Sequence, residues 1–498
     1  MDTTVNSVIS QARHAVLRHP RAALALLSLS QLLIALDATI VFVALDAMGA
    51  HLQVDAQHLQ WIISGYSVAF GGCLLLGGRC ADLLGKRRMY ITGMVMFGLA
   101  SFLGGFAHEA WQLVLARAAQ GVSAAVLFPA TLSLINTLYE AGPERNRALA
   151  VWSMASAGGL AAGALLGGVL TQWLGWNWVL WVMVPIAWPC AVAALKYLPT
   201  DPRNAHRQGF DLAGCITVTL GSTLLVTALV QGPEWGWLSA QLLGTLGAAL
   251  VLLALFVWIE WKSKAPLMPL ALLRNPHLRT AMALTMVFMS SYDVQYYFLA
   301  LYFQQIFGWT PLQAGLAFLL PTAVCTAGIQ LAERWLHHVS VRTVLMSGWL
   351  AGAVGLAWIA WALPISQNYL WLVPGLIVLS VGQGASWTAM WIVAGQNVPA
   401  EQQGVASGIA ATAQQVGAAV GLAVLVMVAA APVAGVSASG ADAAELLAAT
   451  GRGLQNAEWG AALFAVLGVL IAAGMKKPGK CPAFLLLPAI MHQKHNCF

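Results

Sequence analysis

Four ionisable side chains stand where an apolar environment should exclude them. Asp37 and Asp46 lie in LLIALDATIVFVALDAM (32–48), Arg117 in WQLVLARAAQGVSAAVLFPATLSLI (111–135), and Asp293 in ALTMVFMSSYDVQYYFLALYFQQIFG (283–308). A charge at the centre of a membrane helix costs roughly 2.5–3.5 kcal/mol on insertion scales. The chemistry open to such a carboxylate is narrow: it can bind and release a proton, attract a cation, or pair with a guanidinium. Asp37 and Arg117 lie at broadly similar distances from the same end of two stretches that run in opposite directions. At about 1.5 Å per residue they can share a depth, which allows a pair, direct or through water. Gln120 and Gly121 follow Arg117 at i+3 and i+4, on the same helical face. A buried structural ion pair is the competing reading of Asp37 and Arg117.

Around Asp293, the residues Met286, Met289, Tyr296, Tyr297, Ala300 and Gln304 fall on or beside one helical face. A stripe of Met and aromatics is ordinarily core packing. A carboxylate within it favours a cavity wall, where Met adapts its shape and aromatic rings offer broad apolar contact.

These side chains need membrane helices to position them. Hydrophobic residues make up 59% of the chain and charged ones 8%, against about 25% charged in soluble domains. The chain is therefore expected to be all-α and integral to a membrane. About fourteen apolar stretches long enough to span are found, centred near Leu33, Phe70, Phe97, Leu127, Leu160, Val184, Gly221, Leu250, Met289, Leu320, Ala353, Val381, Gly417 and Val466. Alternate loops carry the basic residues: Arg18 and Arg21; Lys86, Arg87 and Arg88; Arg145 and Arg147; Arg203 and Arg207; Lys262, Lys264, Arg274 and Arg279; Arg334 and Arg342; Lys476, Lys477 and Lys480. The intervening loops are nearly free of Lys and Arg, Arg452 excepted. The positive-inside rule then predicts both termini in the cytoplasm. Trp173, Trp176, Trp178, Trp181, Trp235 and Trp237 collect at span ends and fit interfacial belts.

The same patterning excludes other classes. The net charge of +6 is spread over short loops, with no basic, aromatic-interleaved patch for nucleic acid. The seven cysteines form no CxxC pair, so neither a disulfide framework nor a zinc site is expected. His492 and His495 lack acidic partners and read as part of a cytoplasmic tail rather than a metal site. No HExxH, GxSxG or Walker-type motif is evident, which argues against an enzyme.

Two further patterns concern packing and motion. In GGRCADLLGKRRMY (77–90), a positive-inside loop accounts for Lys86, Arg87 and Arg88 but not for Gly78, Asp82 or Gly85. In SMASAGGLAAGALLGGVL (153–170), Gly159, Gly163 and Gly167 recur every four residues, a small face for tight helix packing.

Together these motifs make the chain resemble the fourteen-helix drug:proton antiporter family of the major facilitator superfamily. LDATIVFVAL (36–45) resembles its first-helix motif, GRCADLLGKRR (78–88) the motif after helix 2, and RAAQGVSAA (117–125) the helix-4 motif. FQQIFGWTPLQAGLAFLLP (303–321) and GVASGIAATAQQVG (404–417) resemble its second half, and the likeness covers roughly residues 22–475. The chain departs from the pattern at Phe42 (usually Asn), Asp46 (usually Pro), Leu83 (often basic) and Ala164, where helix 5 ordinarily has Pro.

The resemblance implies a major facilitator fold: a cytoplasmic tail (1–21), a six-helix bundle (22–200), two linking helices (201–265), a second six-helix bundle (266–475) and a cytoplasmic tail (476–498). It implies that spans 1, 4, 9 and 12 line a central cavity, with Asp37 and Arg117 coupling protons. Gln120, Met289, Asp293, Tyr296, Tyr297, Gln383 and Trp387 would contact substrate, with Trp391 nearby on span 12. Gly78, Asp82, Gly85, Arg87 and Arg88 would form a conformational switch. The expected function is export of small amphipathic drugs or antibiotics across the cell (inner) membrane in exchange for protons. No cofactor is implied beyond the proton gradient, and no partner beyond substrate, protons and membrane lipid. Adaptor or outer-membrane partners are left open, and a proton-coupled metabolite exporter or symporter on the same scaffold is the rival.

Overall fold

The computed structural model describes residues 19–53, 56–201, 211–236, 239–263, 270–309, 311–364, 368–437 and 442–475. Most of both tails, including Arg18, Lys476, Lys477, Lys480, His492 and His495, lies outside them, as do Arg203, Arg207, Trp237 and Lys264.

The described chain is helical throughout. Helices α1 (Pro20–Leu52), α2 (Ala56–Leu84), α3 (Lys86–Gly104), α4 (Ala110–Leu138), α5 (Pro143–Trp173) and α6 (Asn177–Tyr197) come first. A hairpin of α7 (Leu212–Trp235) and α8 (Ala240–Lys262) follows. Helix α9 is in three pieces, Pro276–Phe288, a π-helical turn Met289–Asp293, and Val294–Gln305. Then come α10 (Gln313–Trp335), α11 (Val341–Ala362), α12 (Val373–Ala394), α13 (Gln403–Ser437) and α14 (Ala443–Ala473). All fourteen centres read from the sequence fall within these helices. Among the described residues, eleven helices are long and apolar enough to cross a membrane. Of the other three, α3 spends its first turn on Lys86, Arg87 and Arg88, and α9 is broken by its π-helical turn.

Polar side chains start several helices by satisfying free N-terminal amides. Ser239 accepts from Leu242 N at 3.1 Å, Asn275 from His277 N at 2.9 Å, Ser340 from Thr343 N at 3.2 Å and Asp442 from Glu445 N at 2.8 Å.

Helices α1 to α6 pack on one another, chiefly α1 on α5, α2 on α4 and α3 on α4 and α6. Helices α9 to α14 form a second bundle through α11–α12, α10–α12, α11–α14 and α13–α14. The bundles meet through α2 with α13, α4 with α13, and α5 with α10 and α12, while the α7–α8 hairpin rests on α2 and α13. The α1–α5 contact is set by the glycine face. A Cβ at Gly159 would stand 2.5 Å from Leu32 O, at Gly163 2.5 Å from Leu36 O, and at Gly167 2.9 Å from Ile40 O. No side chain fits there, so α5 lies against the backbone of α1 on either side of Asp37.

Candidate functional site

Helix α1 carries Asp37 inward and α4 carries Arg117 to meet it. Arg117 Nη1 donates to Asp37 Oδ1 at 2.8 Å and Oδ2 at 2.7 Å. Both residues are buried, Asp37 at 0% and Arg117 at 2% exposure. Gln120, one turn on from Arg117, accepts from Nη1 at 2.9 Å and donates to Asp37 Oδ1 at 3.3 Å. Its amide also donates to Ser101 Oγ on α3 at 2.8 Å. Arg117 Nε donates to the Ile62 carbonyl of α2 at 3.3 Å, and the guanidinium lies 4.5 Å from the centroid of the Tyr66 ring. Helices α1, α2, α3 and α4 are thus tied at one point. The charges are paired and hydrogen-bonded, the condition under which burial is tolerated.

On the other bundle, Asp293 ends the π-helical turn of α9. It is exposed, while Tyr292, Val294 and Gln295 beside it are buried. A mid-span carboxylate turned to hydrocarbon would be costly. It makes no hydrogen bond or ion pair with any described residue. Tyr296, one turn on, donates its hydroxyl to Gln383 Oε1 of α12 at 2.8 Å. Gln383 is therefore engaged by the tyrosine and not by Asp293. Tyr297 is 48% exposed and edge-on to Phe298. Met289 is turned toward α13, where Gln414 Nε2 lies 3.3 Å from its sulfur. Trp387 of α12 packs within a group of aromatics at the interface between the bundles.

The glycine-rich loop is where the bundles are clamped, at the end that carries the basic loops. Asp82 at the end of α2 accepts from the backbone amides of Gly404 at 3.0 Å and Val405 at 2.9 Å. These are free donors in the first turn of α13, where the helix dipole favours an anion. Gly78 lies against the Gly404 carbonyl so closely that a Cβ has no room. Lys86 donates to the Ala400 carbonyl at 2.6 Å. Gly85, at φ +107°, makes the sharp step from α2 to α3. Asp201, just beyond α6, caps α3 by accepting from Arg87 N at 3.0 Å and Arg88 N at 3.1 Å. The Arg87 side chain donates to the Leu195 carbonyl, while Arg88 points outward.

The structure thus brings Asp37, Arg117 and Gln120 together, joins Tyr296 to Gln383, and sets Gly78 and Asp82 against α13. Asp293 stands apart from the ion pair, on the opposite bundle. Sequence reasoning missed Ser101, Tyr66 and the Ile62 carbonyl, which nothing in their local pattern marks. It also missed Asp201, a lone acid after an apolar span, and Glu458 of α14. Glu458 is 1% exposed, and neither of its carboxylate oxygens has a hydrogen-bond partner among the described residues.

The chain is similar to known proteins. The family model described as Major Facilitator Superfamily matches residues 27–422. A puromycin resistance protein of Streptomyces alboniger is 36% identical over 383 residues, 76% of each chain. The cephamycin export protein of Amycolatopsis lactamdurans is 34% identical over 414 residues, 82% of this chain and 85% of that one. Among solved structures, the human organic anion transporter MFSD10 superposes with a TM-score of 0.65 over 91% of this chain and 100% of its own, at 14% identity, a likeness of fold.

Proposed function

The chain belongs to the major facilitator superfamily, and from that premise we propose that it exports amphipathic drugs or antibiotics across the cytoplasmic membrane in exchange for protons, all fourteen helices spanning and both termini cytoplasmic. It is a multi-pass membrane transporter and not an enzyme. The observation that carries the proton-coupled reading is the buried Asp37–Arg117–Gln120 cluster, a titratable group held at the junction of four helices.

Arg117 favours the carboxylate of Asp37, and removal from water favours the neutral acid. A proton arriving at Asp37 cancels its charge and weakens both bonds to Nη1. Arg117 keeps its contacts to Gln120, the Ile62 carbonyl and the Tyr66 ring, so α1 loses its ion pair to α4 and keeps only the longer bond from Gln120, while α2 and α4 stay joined. Asp82, Gly78 and Lys86 hold the cytoplasmic end shut in this conformation, and opening that end requires Asp82 to leave the α13 amides. Proton binding and the rocking of the bundles are thereby linked, in the alternating-access manner of such folds. Asp293 lies in the cleft and biases it towards cationic or basic substrates.

Inside-out membrane vesicles with an imposed proton gradient test this reading. Accumulation of puromycin, the compound named for a relative, or of another amphipathic antibiotic is expected, and a protonophore should abolish it. Accumulation that survives the protonophore would refute proton coupling. No accumulation of any amphipathic compound would refute drug export.

A further inference from the structure

The cytoplasmic half of the interface between the bundles holds a box of indoles. Trp152 of α5 and Trp387 of α12 lie nearly parallel, 10° apart, with centroids 6.5 Å apart. Trp391 closes one side, at 79° to Trp152 and 74° to Trp387 and 6.1 Å and 5.9 Å away. Phe128 of α4 packs on Trp152 and Trp391 at 5.5 Å and 5.3 Å, and Phe288 of α9 on Trp387 at 5.2 Å. The Nε1 donors of Trp152, Trp387 and Trp391 are all buried, and none has a hydrogen-bond partner among the described residues. Buried indole N–H groups ordinarily find an acceptor. The Nε1 donors of Trp176 and Trp349 are open as well, but only in the box do three stand in mutual ring contact across the two bundles.

Resting on the export reading, we propose that this box is the substrate subsite of the cytoplasm-facing state, and that it takes flat aromatic rings bearing hydrogen-bond acceptors at their edges. A single ring between two aromatic faces needs the planes about 7–8 Å apart, two carbon contact distances. The nearly parallel indoles, one on each bundle, have centroids 6.5 Å apart, less than that spacing. A modest separation of α5 from α12, the same motion that opens the cytoplasmic end, admits a flat ring. A tetraalkylammonium ion is thicker and does not fit between such walls. Indole faces attract cations as well as rings, so it is the narrow gap between Trp152 and Trp387, and not charge, that excludes a bulky tetraalkylammonium ion. The open N–H groups lie at the ring rims, where they meet carbonyl or ether oxygens on the ligand's edge. Asp293 then acts on charge in the cleft, while the box acts on ring shape.

Equilibrium binding to the purified protein in lipid nanodiscs, without a proton gradient, tests this. The probes are a hydroxyanthraquinone, flat with ring carbonyls, and tetrapentylammonium, cationic and without a ring. Trp387→Phe keeps a flat face but loses the N–H, and should lower the anthraquinone-to-ammonium affinity ratio roughly threefold to tenfold, the loss of one neutral hydrogen bond. Trp387→Leu loses the face as well and should lower the ratio by roughly 10–100-fold, the range for one lost stacking contact. Trp152→Phe, on the other bundle, should match Trp387→Phe. An unchanged ratio in all three variants, or no binding of the anthraquinone to the wild-type protein, overturns the proposal. Gradient-driven uptake in vesicles reports on the export reading separately. If uptake persists while the ratio is unchanged, the subsite fails alone. If the ratio falls without any driven uptake, the export reading fails and the subsite stands.

Discussion

Replacing Arg117 with Ala strands Asp37 at 0% exposure, with only Gln120 left to donate to it at 3.3 Å. The change removes two bonds of 2.7 and 2.8 Å to the carboxylate, the donor to the Ile62 carbonyl, and the cation over Tyr66. Breaking a buried pair from one side costs about 3–5 kcal/mol, mostly because the remaining charge is left uncompensated. The double variant Arg117→Ala/Asp37→Asn has no stranded charge, so it should recover most of that loss. Arg117→Lys should fall between wild type and Ala, because an ammonium replaces Nη1 but not the planar contact with Tyr66 or the bond to Ile62. The assay is thermal unfolding of the purified variants in one detergent, read as the temperature at which half the protein leaves the monodisperse peak. The expected order of decreasing stability is wild type, Lys variant, double variant, Ala variant, with the Lys and double variants free to exchange places. A single Ala variant as stable as wild type, or a double variant less stable than the single, would refute the coupling argued from these distances.

Gly163→Leu should prevent α5 from seating on α1, because its Cβ would stand 2.5 Å from Leu36 O, whereas Gly158→Leu, with nothing within 4 Å, should be tolerated; the yield of folded protein compares them. Asp82→Asn should weaken the clamp on α13 by roughly tenfold or more, the worth of a charge-assisted hydrogen bond, and raise labelling of a cysteine placed at Asn136, which lies against Gly395; unchanged labelling would count against the clamp. Gly85→Val should slow transport with little change in substrate affinity, since φ +107° strains any side chain there. Asp293→Asn should lower export of a cationic compound more than of a matched neutral one; an equal fall in both would mean that Asp293 only holds the helix.

Much of the site was legible because charge in an apolar run is conspicuous. Asp37 and Arg117 stood out by type, and a rise per residue sufficed to place them at one depth. Gly159, Gly163 and Gly167 were legible by period, since a small face at every fourth residue can only approach another backbone. What the sequence did not show is pairing across distance. Asp82 was visible as unexplained, but that it reaches the first amides of α13 depends on a contact across more than three hundred residues. Tyr66 and Ser101 look like ordinary span residues, and only packing reveals that they complete the shell of Arg117 and Gln120. Gln383 and Tyr296 were both expected to contact substrate, but nothing in the sequence showed that they bond to each other. The break in α9 escaped the apolar count because π-helical turns carry no periodic signature.

The central claim is that Asp37 carries the coupled proton. Proteoliposomes containing purified protein, with an acidic lumen and a pH-sensitive dye, test it most directly against a panel of amphipathic antibiotics. With wild-type protein, adding a transported compound outside should release protons from the lumen. With Asp37→Asn, which keeps shape and polarity but cannot titrate, the same addition should release none at equal protein amount. Substrate-evoked proton release that persists in Asp37→Asn would contradict the account.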